Sequence, residues 1–246
     1  LNRSARKLFA EDDMTNSPHE PSPVRRGALT GDVADYVRGL VMTGHVREGE
    51  FIRVDRIAAD LDVSVTPVRE GLVALQGERF VELLPRRGFV VRAVTATDVN
   101  DIFRIQSRIE GELARRAAAH FAAAGVKNLK VIQAELTAAA DADDHVRVEQ
   151  LDYAFHHEIA RSSDSARLRW FLNHAARMSP SRFVSYIEGW TRAAVEGHGA
   201  IIEALAAGDA HTAESVMCDH VVQAGQVMAT RIDAASDTRY REAESD

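Results

Sequence analysis

Asp152 and His156 stand four residues apart in a stretch that also carries Val148, Phe155 and Ile159 at helical spacing, so one apolar helix face is expected to present both polar side chains. His198 shares its predicted face with Ala194, Ile201, Ile202 and Leu205, and His220 shares one with Val216, Met217, Ala224 and Val227. A carboxylate and three imidazoles thus point into a helical interior. Each would cost about 1–3 kcal/mol of desolvation or more if left unpaired. A divalent metal ion satisfies all of them jointly. Imidazole nitrogens with one carboxylate oxygen suit Zn first, then Ni, Fe or Mn, and leave positions for water or a ligand carboxylate. The alternative is that Asp152 pairs locally with His156 while the other two are bonded separately, and spacing alone does not choose. Metal-assisted hydrolysis lacks its parts: His157-Glu158 is followed at the required position by Arg161, so no His-Glu-x-x-His motif is formed, and no general base accompanies the cluster.

A second set of residues suits nucleic acid. Ser64, Val65, Thr66 and Arg69 fall in the first turns of a predicted helix, where short polar and basic side chains can meet base edges while the helix N-terminus faces phosphate. Arg86 and Arg87 sit at the tip of a predicted hairpin, beside Gly88, whose missing Cβ allows close backbone approach. Either segment alone is unremarkable as solvated surface. Their succession along the chain is what gives them weight.

These side chains need elements to hold them. Leu29, Val33, Tyr36, Val37 and Leu40 predict a helix stopped at Gly44; Val54–Leu61 predicts a second, with Ile57, Ala58 and Leu61 inward. Asp62 takes the connecting turn, where Asp tolerates the left-handed conformation, and Ser64 caps a third helix with Pro67 in its first turn and Val68, Leu72 and Leu75 buried. Strand-like Phe80–Leu84 and Phe89–Val94 flank the hairpin tip. From Thr95 the pattern is helical over about 96–122, 126–142, 144–161, 165–188, 191–207 and 210–233, with Pro180 the sole proline. The fold class expected is mainly α: a winged helix-turn-helix over 28–94 and an all-α helical bundle over 95–235, with a disordered tail over 1–27 and a flexible one over 236–246.

Composition agrees with such a chain. Its 246 residues exceed one average domain, and 14 Lys and Arg balance 14 Asp and Glu over 1–93, so the net charge of −7 belongs to the remainder. No stretch approaches the roughly 20 apolar residues of a membrane span, and Cys218 stands alone, so no intrachain disulfide forms and a cytoplasmic location is expected.

The run Val63-Ser64-Val65-Thr66-Pro67-Val68-Arg69-Glu70, preceded by Gly49-Glu50-Phe51-Ile52 and followed by Pro85-Arg86-Arg87-Gly88-Phe89-Val90, resembles the GntR transcription factors. It departs from their usual pattern at Val65, where Arg is common, and at Asp62, where Gly is common. The resemblance implies DNA contacts from Ser64, Thr66, Arg69, Arg87 and Gly88, with Val65 left an apolar contact to a thymine methyl. Asp152-Tyr153-Ala154-Phe155-His156 with His198 and His220 resembles the FCD ligand-binding domain of the FadR branch, which implies metal binding by these residues. Six predicted helices place it nearer the VanR-type subgroup. Arg108, in Arg108-Ile109-Glu110, also matches a family position; an inward arginine there, beside a metal, is expected to bind an effector carboxylate, with a plain salt bridge to a nearby acid the equal alternative. The family implies a homodimeric repressor on a pseudo-palindromic double-stranded operator, released by a small organic acid; a regulator that senses the metal itself is the competing reading.

Overall fold

The computed structural model describes residues 26–42, 45–92, 94–178 and 190–243. Three helices, α1 (Arg26–Met42), α2 (Val54–Leu61) and α3 (Val65–Gly77), precede a hairpin of β1 (Val81–Leu84) and β2 (Gly88–Val91). Of the expected N-terminal tail, residues 1–25 lie outside the described residues, as does the capping Gly44, while Arg26 and Gly27 already belong to α1. Asp62 closes α2 in the left-handed conformation at φ 55°, ψ 47°, and two residues on the extended Ser64 (φ −73°, ψ 164°) leads into α3. That short turn is what holds α2 and α3 in fixed relation. The Ser64 hydroxyl makes no capping hydrogen bond, so the helix start is set by backbone conformation rather than by the side-chain bond expected of it.

Val33, Val37, Ile57, Val68, Leu72, Leu75, Phe80, Phe89 and Val91 form one core beneath these elements. Gly71 lets α3 approach α1, since a Cβ there would lie 2.8 Å from Val33 Cγ1. Buried Arg38 ties α1 to the end of α3, bonding Asp35 and Glu78 and lying over the Phe80 ring. The hairpin pairs Val81 with Val91 through to Leu84 with Gly88, and Phe51 adds a bridge to Val90 beyond what the sequence pattern reveals. One paired residue is too short a strand for alternation to register.

The helical part comprises α4 (Ala96–Ala118), α5 (Ala123–Asp141), α6 (His145–Ser162), α7 (Ala166–Met178), α8 (Trp190–Glu196), α9 (His198–Ala207) and α10 (Ala210–Ala243). Thr95 and Asp98 close a reciprocal capping box that starts α4. Seven helices among the described residues replace the six expected, because the run 191–207 breaks at Gly197, and helix count therefore does not place the domain in the VanR-type subgroup. The predicted helix over 165–188 is seen to Met178; 179–189, with Pro180, lie outside the described residues. α10 passes its expected end at 233 and runs to Ala243, so 236–243 of the expected flexible tail are helical, because no Gly or Pro after Gly225 interrupts the run.

α4 and α10 run antiparallel, with Gly111 opposite Cys218 and Gly225 opposite Phe103. A Cβ at Gly225 would lie 2.5 Å from Phe103 Cβ, so the two helices meet where glycine removes the side chain. Leu129, Phe155, Ile159, Ile201, Leu205, Met217 and Met228 fill the core around this pair. Gly225→Ala should lower the stability of the helical domain by about 1–3 kcal/mol through overpacking, read as a lower denaturant midpoint; an unchanged midpoint would mean that α4 and α10 do not pack this closely.

Candidate functional site

α6 presents Asp152 and His156, the first turn of α9 presents His198, and α10 presents His220. One ligand atom from each of these four residues lies within 4.8 Å of those of the others, so the structure brings the whole expected set together. His198 is fully buried and His220 is 5 % exposed. His156 Nε2 lies 3.9 Å and His198 Nε2 3.5 Å from the same Asp152 oxygen, Oδ1. Neither His198 Nε2 nor His220 Nδ1 has a hydrogen-bond partner. The Phe155 ring stacks on His198 at 3.7 Å between centroids, 4° from parallel.

Two further polar residues reach this cluster from other helices. His156 Nδ1 is 2.5 Å from Glu110 Oε2 on α4, and His198 Nδ1 is 2.7 Å from Gln133 Oε1 on α5. Gly197 is the third addition, for a Cβ there would lie 2.2 Å from His220 Nδ1. A signal for the first two existed in the sequence. Glu110 stands in the stripe Phe103, Gln106, Leu113, Ala114, Ala117, and Gln133 stands between Leu129 and Leu136, so each is a polar residue in a row of buried positions.

Arg108 is not part of this cluster. It is exposed and lines a cleft between α4 and α10 with Ser107, His211, Glu214 and Cys218. Successive helical residues turn by about 100°, so two positions place Arg108 on roughly the opposite side of α4 from Glu110. The expected inward arginine is corrected to an inward glutamate.

Electrostatics within the cluster are uneven. Burial pushes the Asp152 carboxyl up to about 6, with His156 opposing and Glu110 adding to the rise. Burial acts to lower His156, but the charge and hydrogen bond of Glu110, and then Asp152, carry it up to about 9. Burial pulls His220 down to about 3 and His198 well below the usual imidazole range, with repulsion from His156 contributing to both. Two neutral imidazoles therefore face the centre at neutral pH.

The nucleic-acid candidates lie on the surface. Ser64, Thr66 and Arg69 are exposed on the first turns of α3, with Val65 at 36 %. Glu70, beside Arg69, accepts a hydrogen bond from Thr30 on α1. Arg86 and Arg87 are exposed at the hairpin tip, where Arg86 (φ 64°) and Gly88 (φ 106°) both adopt left-handed backbone. The Arg87 guanidinium lies 4.9 Å from the centroid of the Phe51 ring. Among the described residues no helix is long and apolar enough to cross a membrane.

Comparison with known proteins bears on both sites. Residues 29–91 match the model of the bacterial regulatory proteins of the gntR family, and residues 101–223 match the FCD domain. The probable D-xylose utilization operon transcriptional repressor of Paenarthrobacter nicotinovorans is 27% identical over 201 residues, covering 80% of this chain and 87% of that protein. The gluconate operon transcriptional repressor of Bacillus subtilis (strain 168) is 27% identical over 142 residues, 58% of each chain. Among solved structures, E. coli McbR/YncC superposes with a TM-score of 0.64 at 20% identity, covering 82% of this chain and 97% of that one, a likeness of fold. A gntR-type helix-turn-helix followed by an FCD domain, each matched over the elements described above, makes this chain a member of the GntR family of transcription regulators, in the branch that carries an FCD domain.

Proposed function

We propose that the chain is a repressor whose helical domain holds a divalent metal ion on Asp152, His156, His198 and His220 and binds a small organic acid there, changing the affinity of α3 and the hairpin for an operator. The observation that carries the metal reading is the buried His198 Nε2, which faces an Asp152 oxygen at 3.5 Å with no hydrogen bond between them. A lone pair opposite a carboxylate oxygen is repulsive unless something positive stands between. The Nδ1 of His220 is likewise buried and without a hydrogen-bond partner. Imidazole donors with one carboxylate fit Zn first, and Ni, Fe or Mn next. Bound there, the ion would supply positive charge and open positions for a ligand carboxylate.

The repressor reading rests on two relatives, the gluconate operon transcriptional repressor and the probable D-xylose utilization operon transcriptional repressor. Recognition would use Ser64, Val65, Thr66 and Arg69 on base edges, with Arg86, Arg87 and the Gly88 backbone at the adjacent groove or phosphates. A homodimer would present two such surfaces to a pseudo-palindromic double-stranded site in the cytoplasm. Arg108, exposed on the far side of α4, has no place beside the ion, so a ligand carboxylate would be bound by the ion itself.

Replacing both His198 and His220 with Ala should remove stoichiometric metal from purified protein measured by elemental analysis; full retention would overturn the ligand set. Arg69→Ala should weaken operator binding by about 1–3 kcal/mol in a fluorescence titration at physiological salt, and unchanged affinity would exclude it from the reading surface. With metal loaded, organic acids should still shift operator affinity; if added metal alone switches binding and acids do nothing, the ion is the signal.

A further inference from the structure

We infer that Gln133 is a positioning residue that sets the tautomer of His198, leaving Nε2 as the only nitrogen that ring can offer to the centre. The inference rests on the metal reading above. A carbonyl oxygen only accepts, so the Gln133 atom 3.0 Å from Val195 O must be the amide NH₂, which donates to it. That contact fixes which way the amide lies. Its oxygen, Oε1, is then the atom 2.7 Å from His198 Nδ1, and an amide oxygen only accepts. The proton must therefore sit on Nδ1, and the lone pair on Nε2, the buried atom without a partner.

Three elements thus determine one ring. Phe155 on α6 fixes its plane by stacking, Gln133 on α5 fixes its proton, and the Val195 carbonyl on α8 fixes Gln133. Because Val195 lies three residues before His198, the same amide also clips the end of α8 to α5 just ahead of the break at Gly197. Glu110 stands in the same relation to His156: its carboxylate, 2.5 Å from Nδ1, is served by a ring that carries hydrogen there and turns Nε2 toward Asp152. Groups that bond the far nitrogen of a ligating imidazole orient it and tune its basicity, and losing one weakens metal binding about 10- to 100-fold.

The test uses the full-length protein and Zn, with affinity read by competition against a chromophoric chelator. Gln133→Leu removes both hydrogen bonds and should weaken Zn binding by about 10- to 100-fold. Gln133→Glu keeps an acceptor toward Nδ1 and should bind close to wild type, although it loses the donor to Val195. Long-range ¹H–¹⁵N spectra of chelator-treated protein, with His198 assigned against His198→Gln, should show the proton on Nδ1 in wild type and a mixture in Gln133→Leu. Wild-type affinity in a folded Leu variant, or a proton on Nε2 in wild type, would overturn the inference. Should Gln133→Leu fail to fold, the wild-type spectrum decides alone. If wild type takes up no Zn, the metal reading fails, and the spectrum still judges the tautomer.

Discussion

The helical domain converges on an electrostatic contradiction: the Asp152 carboxylate oxygen and the buried, partnerless Nε2 of His198 face each other at 3.5 Å inside the protein. A bundle of this size could bury apolar side chains at these positions at no such cost, as it does in the core that holds Phe155, Ile159, Ile201, Leu205 and Met217. Apolar walls strengthen the repulsion, because a low local dielectric magnifies any unbalanced charge or dipole. They also strengthen whatever relieves it. A cation bound here, as proposed, would be held with a force that the same residues on a surface would not have.

The two halves of the chain solve different problems with different tolerances. The N-terminal core fixes a helix on the surface of a small three-helix unit, and its precision comes from a tight left-handed turn at Asp62, a close approach at Gly71 and the buried Arg38 held between two carboxylates. The helical domain fixes a point in its interior, and there precision comes from convergence of α6, α9 and α10, with α4 and α5 behind them. Phe51 belongs to the first problem. Its ring gives Arg87 a surface to lie on, so the hairpin tip carries a guanidinium with less freedom to lose on contact with a partner.

Much of this was legible in the residue pattern, and the failures share a cause. The inward faces of Val68, Leu72 and Leu75, and of Asp152, His156, His198 and His220, follow from helical periodicity, which reports which way a residue faces on its own element; the α2–turn–α3 boundary follows from Asp62 and Ser64, and the gathering of the four polar residues was implied by the FCD resemblance. Periodicity does not report what an element faces. Glu110 and Gln133 were visible only as polar residues within buried stripes, and their partners lie 46 and 65 positions away. Arg108 was misplaced because family position was read without the helical rotation that carries it away from Glu110. The break at Gly197 is not legible in the sequence because a single glycine is tolerated inside a helix; its missing side chain leaves the room that an imidazole from α10 occupies.

That contact between Gly197 and His220 has a consequence for descent. The bare Cα and the ring occupy complementary halves of one space, since any Cβ would lie 2.2 Å from Nδ1. A lineage cannot gain a side chain at the first position without displacing the ring at the second. Relatives that keep this imidazole should therefore keep the glycine with it, and the two should be lost together, as one inherited unit spread over two helices.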